Sequence, residues 1–118
     1  MADTCIFCMV ADGSIPTTAL YEDEYVIAFD DISPQAPVHS LVIPKQHFAD
    51  LGDDVPPHVA AALMAAIPHV ARVKGIDDSG YRVIINKGRD ANQTVNHLHI
   101  HVIGGQRMTH GMVDFDAE

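Results

Sequence analysis

Short apolar runs bounded by turn residues predict five β-strands along the chain. They cover residues 20–22, 25–29, 38–43, 81–86 and 94–103. An acidic turn at Asp23 and Glu24 separates the first two strands, and Pro44 ends the third. Two prolines in the loop at residues 30–37 predict a rigid connection between the second and third strands.

A helical repeat of apolar residues marks one long segment, residues 56–74. Its apolar positions are Val59, Leu63, Ala66, Ile67 and Val70. Pro56 and Pro57 suit the first turn of a helix, and Gly75 should close it. Pro68 lies inside the repeat, where a proline removes a hydrogen-bond donor and clashes with the previous turn. We therefore expect Pro68 to kink the helix or to split it.

The remaining segments predict short elements and loops. A short helical turn is expected over residues 6–11, a brief helix over 46–51 and a polar loop over 87–92. The tail after residue 105 is irregular, and residues 111–113 are its one candidate for a short edge strand. The order of strands, helix and strands predicts an α+β fold with a mainly antiparallel sheet, one long helix and a short helix.

The last predicted strand carries three histidines in alternation with apolar residues. Because successive side chains of a strand point to opposite faces, His97, His99 and His101 should form one row. A row of imidazoles suits the binding of a transition metal, or nucleophilic and proton chemistry near neutral pH. The alternative is a solvated polar face, but such faces favour Lys, Glu and Thr over histidine.

Length and composition describe a compact globular protein. The chain has 118 residues, of which 47% are hydrophobic, so residues 1–118 are expected to form a single domain with a real core. The N-terminus lacks a secretion pattern and no apolar segment approaches about 18 residues, which predicts a cytoplasmic protein with no membrane partner.

The acidic charge excludes one class of partner. A formal net charge of -9 does not favour the counterion release by which proteins hold nucleic-acid backbones, so no nucleic-acid partner is expected. If the chain binds a phosphate group, the site must use histidines, backbone amides and neutral donors.

The two cysteines, Cys5 and Cys8, are separated by two residues near the N-terminus. A structural disulfide is not expected in a reducing compartment, and a redox motif of the thioredoxin type would follow a strand and open a long helix. The spacing suits half of a tetrahedral zinc site, for which the eight histidines offer further ligands. Inert thiols remain the alternative from the pair alone.

Four segments in a fixed order carry a further pattern: residues 29–37 (Phe-Asp-Asp-Ile-Ser-Pro-Gln-Ala-Pro), 39–45 (His-Ser-Leu-Val-Ile-Pro-Lys), 83–86 (Val-Ile-Ile-Asn) and 97–105 (His-Leu-His-Ile-His-Val-Ile-Gly-Gly). Together they resemble the histidine triad (HIT) family of nucleotidyl hydrolases and transferases, most closely its Hint branch and bacterial relatives. The resemblance extends over roughly residues 5 to 105. It implies a homodimer that pairs through the long helix and central strands.

The resemblance also implies a reaction. The middle histidine, His99, would attack the α-phosphorus of a nucleoside phosphate derivative and form a nucleotidyl-histidine that water then hydrolyses. His101 would donate to a non-bridging oxygen, and His39 matches a fourth family histidine that bonds with His101. Thr94 completes the implied catalytic set. A buried core histidine without a chemical role is the alternative for His39.

Further positions match nucleotide contacts of the family. Gln93 and Thr94 match contacts to the phosphate and the leaving-group side, Asn86 a contact to phosphate or ribose, and Asp31 the carboxylate that accepts from the ribose hydroxyls. The apolar walls around the base are matched by Ile6, Phe7, Phe29 and Ile32. Each match has a structural alternative. The polar residues at positions 86, 93 and 94 could form hydrogen bonds at a strand end, Asp31 could be a turn or cap residue, and the apolar residues could be plain core.

Bacterial relatives and galactose-1-phosphate uridylyltransferase hold zinc with a cysteine pair and two histidines, one of which is the first of the triad. This resemblance implies a structural zinc site made of Cys5, Cys8, His47 and His97. Free thiols with His47 on the surface are the alternative.

The chain departs from the family pattern at three places, and the last of them, in the tail, bears on the leaving-group side and hence on the substrate. Asn92 stands where a Hint-type glycine is common, Asn96 replaces an aromatic residue, and the tail at residues 106–110 does not continue into the tryptophan-containing end of animal Hint proteins.

The leading hypothesis is a purine nucleoside phosphoramidase or adenylyl hydrolase. The alternatives are a dinucleoside polyphosphate hydrolase and a nucleotide-binding interaction module with vestigial catalysis. A zinc enzyme that uses all three triad histidines as ligands lacks a carboxylate base near residues 97–101.

Overall fold

The computed structural model describes residues 5–116, which form two helices and five strands. The helices are α1 (Ile6–Ala11) and α2 (Pro57–Val73), and the strands are β1 (Tyr21–Glu22), β2 (Val26–Asp30), β3 (Val38–Pro44), β4 (Tyr81–Ile85) and β5 (Ile100–Gly104). All neighbouring strands are antiparallel, in the order β1-β2-β3-β5-β4. The expected α+β fold with an antiparallel sheet, one long helix and one short helix is confirmed.

The two faces of the sheet pack against different helices. In β2, Val26 and Ala28 belong to the core under α2, whereas Ile27 and Phe29 pack on the opposite face with residues of α1. β3 and β5 alternate in the same way, so β3 directs His39 and Leu41 towards the α1 face. The period of two therefore separates the structural core from the face that carries the histidines.

Helix α2 continues through Pro68 as one helix, so of the two expected effects of this proline, a kink or a split, the split is wrong. The helix buries its apolar stripe against the sheet, including Leu63, Ile67 and Val70. Burying several such side chains outweighs the roughly 3 kcal/mol that a proline costs inside a helix. Gly75 ends the helix as expected, with a left-handed φ of 74° that glycine adopts without strain. Within residues 5–116, neither helix is long and apolar enough to cross a membrane.

The brief helix expected over residues 46–51 is wrong, because this segment is a series of turns. Aspartate side chains accept the backbone N–H groups that a helix would use. The N–H of Ala49 donates to the Asp53 carboxylate and the N–H of Gly52 donates to the Asp50 carboxylate, each at 2.8 Å. Short acidic side chains compete with helical hydrogen bonds in this way. The carbonyl of Phe48 in turn accepts from the N–H of Leu98 at 2.7 Å, which joins the segment to the histidine region.

The histidine strand is shorter than expected. β5 begins at Ile100, and residues 94–99 approach it as an irregular segment. The alternation nevertheless persists, since Leu98 is buried in the same core as Ile100 and Val102. Residues 111–113 are not a strand either. The ends of β1, β2, β3 and β4 differ from expectation by one residue, within the usual uncertainty of such boundaries.

Candidate functional site

A pocket of about 530 Å³ opens on the α1 face of the sheet. Eight of the residues expected at a nucleotide site line it: Ile6, Phe7, Phe29, Asp31, Ile32, Thr94, His99 and His101. Ile32 lies at the rim, with 94% of its surface exposed. The fold therefore gathers residues from α1, the end of β2 and the histidine segment around one cavity.

Other lining residues were missed by the sequence analysis. They are Val10, Ile15, Pro16, Thr17, Thr18, Leu20, Asp30, Leu41 and Val95. Two of them could have been predicted from periodicity. Leu41 shares a strand face with His39, and Val10 lies one helical turn after Phe7. The loop residues Thr17 and Thr18 could not, because a loop has no period that predicts the direction of its side chains.

His99 is held in one tautomer by its own backbone neighbour. Its Nδ1 lies 2.7 Å from the carbonyl oxygen of His97, and a carbonyl only accepts. Nδ1 therefore carries the proton and donates it, which leaves the lone pair on Nε2. The ring is buried and packs edge-on against Phe7 at 5.1 Å. This arrangement suits an imidazole nucleophile with a fixed orientation.

His101 lines the pocket and contacts a second histidine behind it. Its Nδ1 lies 2.8 Å from Nε2 of the buried His39, which also lies 3.5 Å from a carboxylate oxygen of Asp31. Burial, and after it the neighbouring His99 and His39, together lower the pKa of His101 to about 4, although Asp31 acts in the opposite direction. His101 is therefore a neutral imidazole at pH 7.

The donor atoms of Cys5, Cys8, His47 and His97 form a second cluster, in which all four atoms lie within 4.8 Å of one another. Nδ1 of His97 is 3.3 Å from the sulfur of Cys5 and 3.4 Å from that of Cys8. Nδ1 of His47 is 3.1 Å from the sulfur of Cys8. In a tetrahedral zinc site, neighbouring sulfur and nitrogen ligands lie about 3.5 Å apart. The four donors therefore have the spacing that a tetrahedral ion requires.

Surrounding groups prepare these donors for a cation. Nε2 of His97 lies 2.9 Å from the carbonyl oxygen of Pro44 and donates to it, so the lone pair of Nδ1 faces the sulfurs. Burial lowers the pKa of His97, which keeps the ring neutral. Burial and the neighbouring Cys5 raise the pKa of the Cys8 thiol to about 11, so two thiolates side by side need a positive charge between them. The cluster fits a closed metal site of two sulfurs and two imidazoles.

Phe7 connects the cluster to the pocket. Its ring makes edge contacts with His97 at 5.9 Å, His99 at 5.1 Å and Phe29 at 5.8 Å. The residue lies between Cys5 and Cys8, and the Cys5 sulfur accepts the N–H of Cys8 at the start of α1. Any movement of the cysteine pair would therefore shift a wall of the pocket.

Gln93 and Asn86 are not brought to the pocket among the described residues. The carboxamide of Gln93 accepts from the N–H of Gly88 at 2.9 Å and donates to the carbonyls of Ala49 and Val95 at 2.9 and 3.0 Å. Its donors are thus occupied in joining two loops, and a phosphate contact would require these bonds to break. Asn86 follows β4 at the far edge of the sheet.

The backbone explains one departure from the family pattern. Asn92 has a φ of 62°, in the left-handed region that glycine enters freely and asparagine more readily than most residues. Asparagine therefore replaces the common glycine here at modest conformational cost.

The three triad histidines do not converge on one metal ion. Nδ1 of His97 faces the sulfurs, Nδ1 of His99 faces a carbonyl oxygen and Nδ1 of His101 faces His39. Within residues 5–116 this geometry argues against a zinc enzyme that uses the triad as its ligands.

Comparison with known proteins identifies one matching family model and several similar proteins. The HIT domain matches residues 12–108. Protein HitA of Neisseria gonorrhoeae is 42% identical over 104 residues, which span 86% of this chain and 96% of that protein. Protein pkiA of Dictyostelium discoideum is 44% identical over 109 residues, which span 87% of this chain and 84% of that protein.

Solved structures agree with the sequence comparison. A HIT family hydrolase from Clostridium thermocellum superimposes with a TM-score of 0.88 at 41% identity, over 94% of this chain and 98% of that one. A histidine triad protein from Clostridium difficile has a TM-score of 0.84 at 42% identity, over 92% and 96% of the two chains.

Proposed function

The chain belongs to the HIT domain family, and we propose that it hydrolyses purine nucleoside phosphoramidates or related adenylyl compounds through a nucleotidyl-histidine on His99. The observation that carries this proposal is the tautomer of His99. Its bond to the His97 carbonyl leaves the Nε2 lone pair free in a ring that lines a nucleotide-sized pocket. The names of related solved structures, which include HIT family hydrolases, support the reaction class.

The proposed reaction has two displacements at phosphorus. In the first, Nε2 of His99 forms a bond to the α-phosphorus, and the bond to the leaving group breaks with its electron pair. In the second, water attacks the same phosphorus, and the electron pair of the P–N bond returns to Nε2. A leaving amine takes up one proton and the attacking water releases one, so the steps balance. The His97 carbonyl accepts from Nδ1–H throughout and stabilises the ring while it is positively charged.

The other proposed contacts follow from the pocket lining. His101 donates to a non-bridging phosphate oxygen, and the Thr94 hydroxyl donates on the leaving-group side. The Asp31 carboxylate accepts an N–H of Ser33 at 2.8 Å and retains acceptor capacity for ribose hydroxyls. The base lies against the apolar walls formed by Ile6, Phe7, Phe29 and Ile32. Contacts from Asn86 and Gln93 stay predictions, since both would require rearrangement.

A panel of substrates tests the proposal. It contains an adenosine phosphoramidate, a lysyl-adenylate analogue and diadenosine polyphosphates, compared by kcat/KM. We expect the first two to be turned over best. Preference for the diadenosine compounds would favour the polyphosphate hydrolase instead, and nucleotide binding without any turnover would favour the interaction module.

We also propose that Cys5, Cys8, His47 and His97 hold a structural Zn²⁺ ion. The donor set and its spacing support zinc over calcium or magnesium, which take oxygen ligands. The ion would fix α1 and the first triad histidine, and it would supply no chemistry to the phosphate, because four protein ligands leave no open position.

A homodimer is the proposed assembly. β4 is the last strand of the sheet that residues 5–116 form, and its outer edge can pair with a second strand. Val83 of β4 is 39% exposed and Met64 of α2 is 63% exposed. Val83 lies opposite Val102, whose side chain belongs to the core under α2, so Val83 faces the α2 side of the sheet. An unpaired edge beside exposed apolar side chains supports association between two copies.

A further inference from the structure

The loop between β2 and β3 wraps around the ring of His39. Within it, the backbone N–H of Gln35 donates to Nδ1 of His39 at 3.0 Å. A nitrogen that accepts a hydrogen bond carries a lone pair and no proton. His39 is therefore neutral, its single proton is on Nε2, and the backbone amide excludes both the other tautomer and the imidazolium.

The tautomer of His39 determines the tautomer of His101, which lines the pocket. Nε2–H of His39 donates to Nδ1 of His101 at 2.8 Å, so this nitrogen of His101 also carries a lone pair. The proton of a neutral His101 must then lie on Nε2. Each hydrogen bond determines the next, from a backbone amide through two rings.

We propose that the backbone N–H of Gln35 is a positioning group, which fixes His39 and His101 as neutral Nε2–H tautomers and so keeps an N–H of His101 available to substrate. The catalytic use of that N–H rests on the proposed function. The tautomers themselves do not, because they follow from the hydrogen bonds of the free protein.

The loop is built to hold this amide in place. The N–H of Asp31 donates to the carbonyl of His39 at 3.0 Å, which closes the loop at its base. Pro34 and Pro37 flank Gln35 and restrict the backbone on both sides. Gly105 packs so closely on the loop that an added Cβ would lie 2.9 Å from Cβ of Pro37. A rigid loop presents its amide without further loss of backbone entropy.

The same bond argues against a metal ion among Asp31, His39 and His101, whose donor atoms also lie within 4.8 Å of one another. An ion on Nε2 of His39 would move the proton of the ring to Nδ1. That proton would then face the N–H of Gln35, and two donors would oppose each other. The low pKa of His101 agrees with this reading, since its protonation would likewise set two N–H groups against each other.

Long-range ¹H–¹⁵N correlation spectra of the full chain test the tautomers directly, with His39→Asn and His101→Asn used for assignment. We expect both rings to show a protonated Nε2 and an unprotonated Nδ1 at pH 7. A protonated Nδ1 on either ring would overturn the proposal, whatever the outcome of the substrate panel.

Two substitutions at one position then isolate the amide. Gln35→Ala keeps the N–H and should preserve both tautomers and turnover. Gln35→Pro removes it, and we expect a mixture of tautomers at His39 with about a tenfold loss of kcat/KM. If circular dichroism shows that Gln35→Pro does not fold, an ester in place of the Pro34–Gln35 amide removes the same N–H without the ring. Unchanged tautomers in a folded variant that lacks the N–H would refute the proposal.

Discussion

His99 and His101 are neighbouring imidazoles with opposite tautomers, because their hydrogen-bond partners differ. Their ring centroids are 5.0 Å apart. A carbonyl oxygen accepts from Nδ1 of His99, whereas an N–H donates to Nδ1 of His101. The first ring therefore offers a lone pair at Nε2 and the second an N–H at Nε2. At this scale, the chemistry of a residue is decided by the polarity of the one group behind it.

Replacing the proposed nucleophile should abolish turnover. His99→Ala is expected to lower kcat/KM by at least about 10³-fold while nucleotide binding is largely retained, because the base and ribose contacts lie elsewhere. His101→Ala should lose less, since it removes charge stabilisation and not the attacking atom. The matched control is His69→Ala, an exposed histidine of α2 that contacts Tyr21. Substantial activity of His99→Ala on every substrate would contradict the mechanism.

The half-buried His101 should make stability depend on pH. Its pKa in the folded chain, about 4, lies below the value of 6.5 expected for the unfolded chain. The unfolded state therefore binds the proton first, and the contribution of this ring to the free energy of unfolding is complete above pH 6.5 and is lost as the pH falls towards 4. The loss is at most about 3 kcal/mol.

Denaturant unfolding between pH 7.5 and 5 measures this loss. His101→Gln cannot titrate, so its unfolding free energy should fall less steeply than that of the wild type. The comparison also removes effects common to both proteins, such as any release of metal at low pH. Parallel curves for the two proteins would show that His101 does not contribute.

At the scale of elements, α1 depends on contacts outside itself. A helix of six residues is far too short to be stable alone. Its start is held at the donor cluster through Cys5 and Cys8, and its inner face through Phe7. A metal ion at the cluster would therefore stabilise this element and hold the shape of the pocket.

Metal analysis tests that coupling. After purification without added zinc we expect about one zinc per chain, and none in a Cys5→Ser/Cys8→Ser variant. Hydrogen exchange of α1 should accelerate in that variant, because the element loses its anchor. Met9→Ser, which changes α1 and leaves the donors intact, is the control. A metal-free protein whose stability and activity do not respond to a chelator would refute the site.

Element boundaries were less predictable than element types. The helical repeat of apolar residues in α2 and the alternation in β2 and β3 extend over enough residues to outweigh the secondary-structure preferences of single residues. The segment at residues 46–51 is short, and side-chain bonds from Asp50 and Asp53 outcompete its weak helical pattern. β5 begins at Ile100, where its pairing with β3 and β4 begins. The residues of β5 alone do not reveal where those partner strands lie.

At the scale of the whole molecule, the open edge of β4 leads to a prediction about assembly. Light scattering at micromolar concentration should give twice the 12.8 kDa of one chain. Val83→Lys should shift the protein towards a monomer, because it places a charge in the proposed apolar interface. Val73→Lys adds the same charge at the C-terminal end of α2, where Lys74 bonds Asp30 of β2, and should leave the assembly unchanged. A single-chain mass for the wild type would remove the proposal.

The sequence by itself determined the features that are local and periodic. The alternation around His99, the helical stripe of α2 and the spacing of Cys5 and Cys8 each follow from residues close together in the chain. For this reason the fold class and the candidate residues could be predicted. The expected partners of the metal site came from resemblance, since no local pattern connects Cys5 to His97 across 92 positions.

Only the tertiary structure decided the direction of lone pairs and protons. Whether a histidine accepts, donates or binds a metal depends on the group opposite it, and for these rings the groups are the carbonyl of Pro44, the carbonyl of His97 and the N–H of Gln35. Every residue except proline carries the same backbone N–H and C=O groups, so no sequence pattern marks which of them will face a histidine. For the same reason the sequence did not single out Gln35, and it did not reveal that the carboxamide of Gln93 joins two loops. The sequence specifies which side chains are present, but the direction of their lone pairs and protons is determined only when the chain folds.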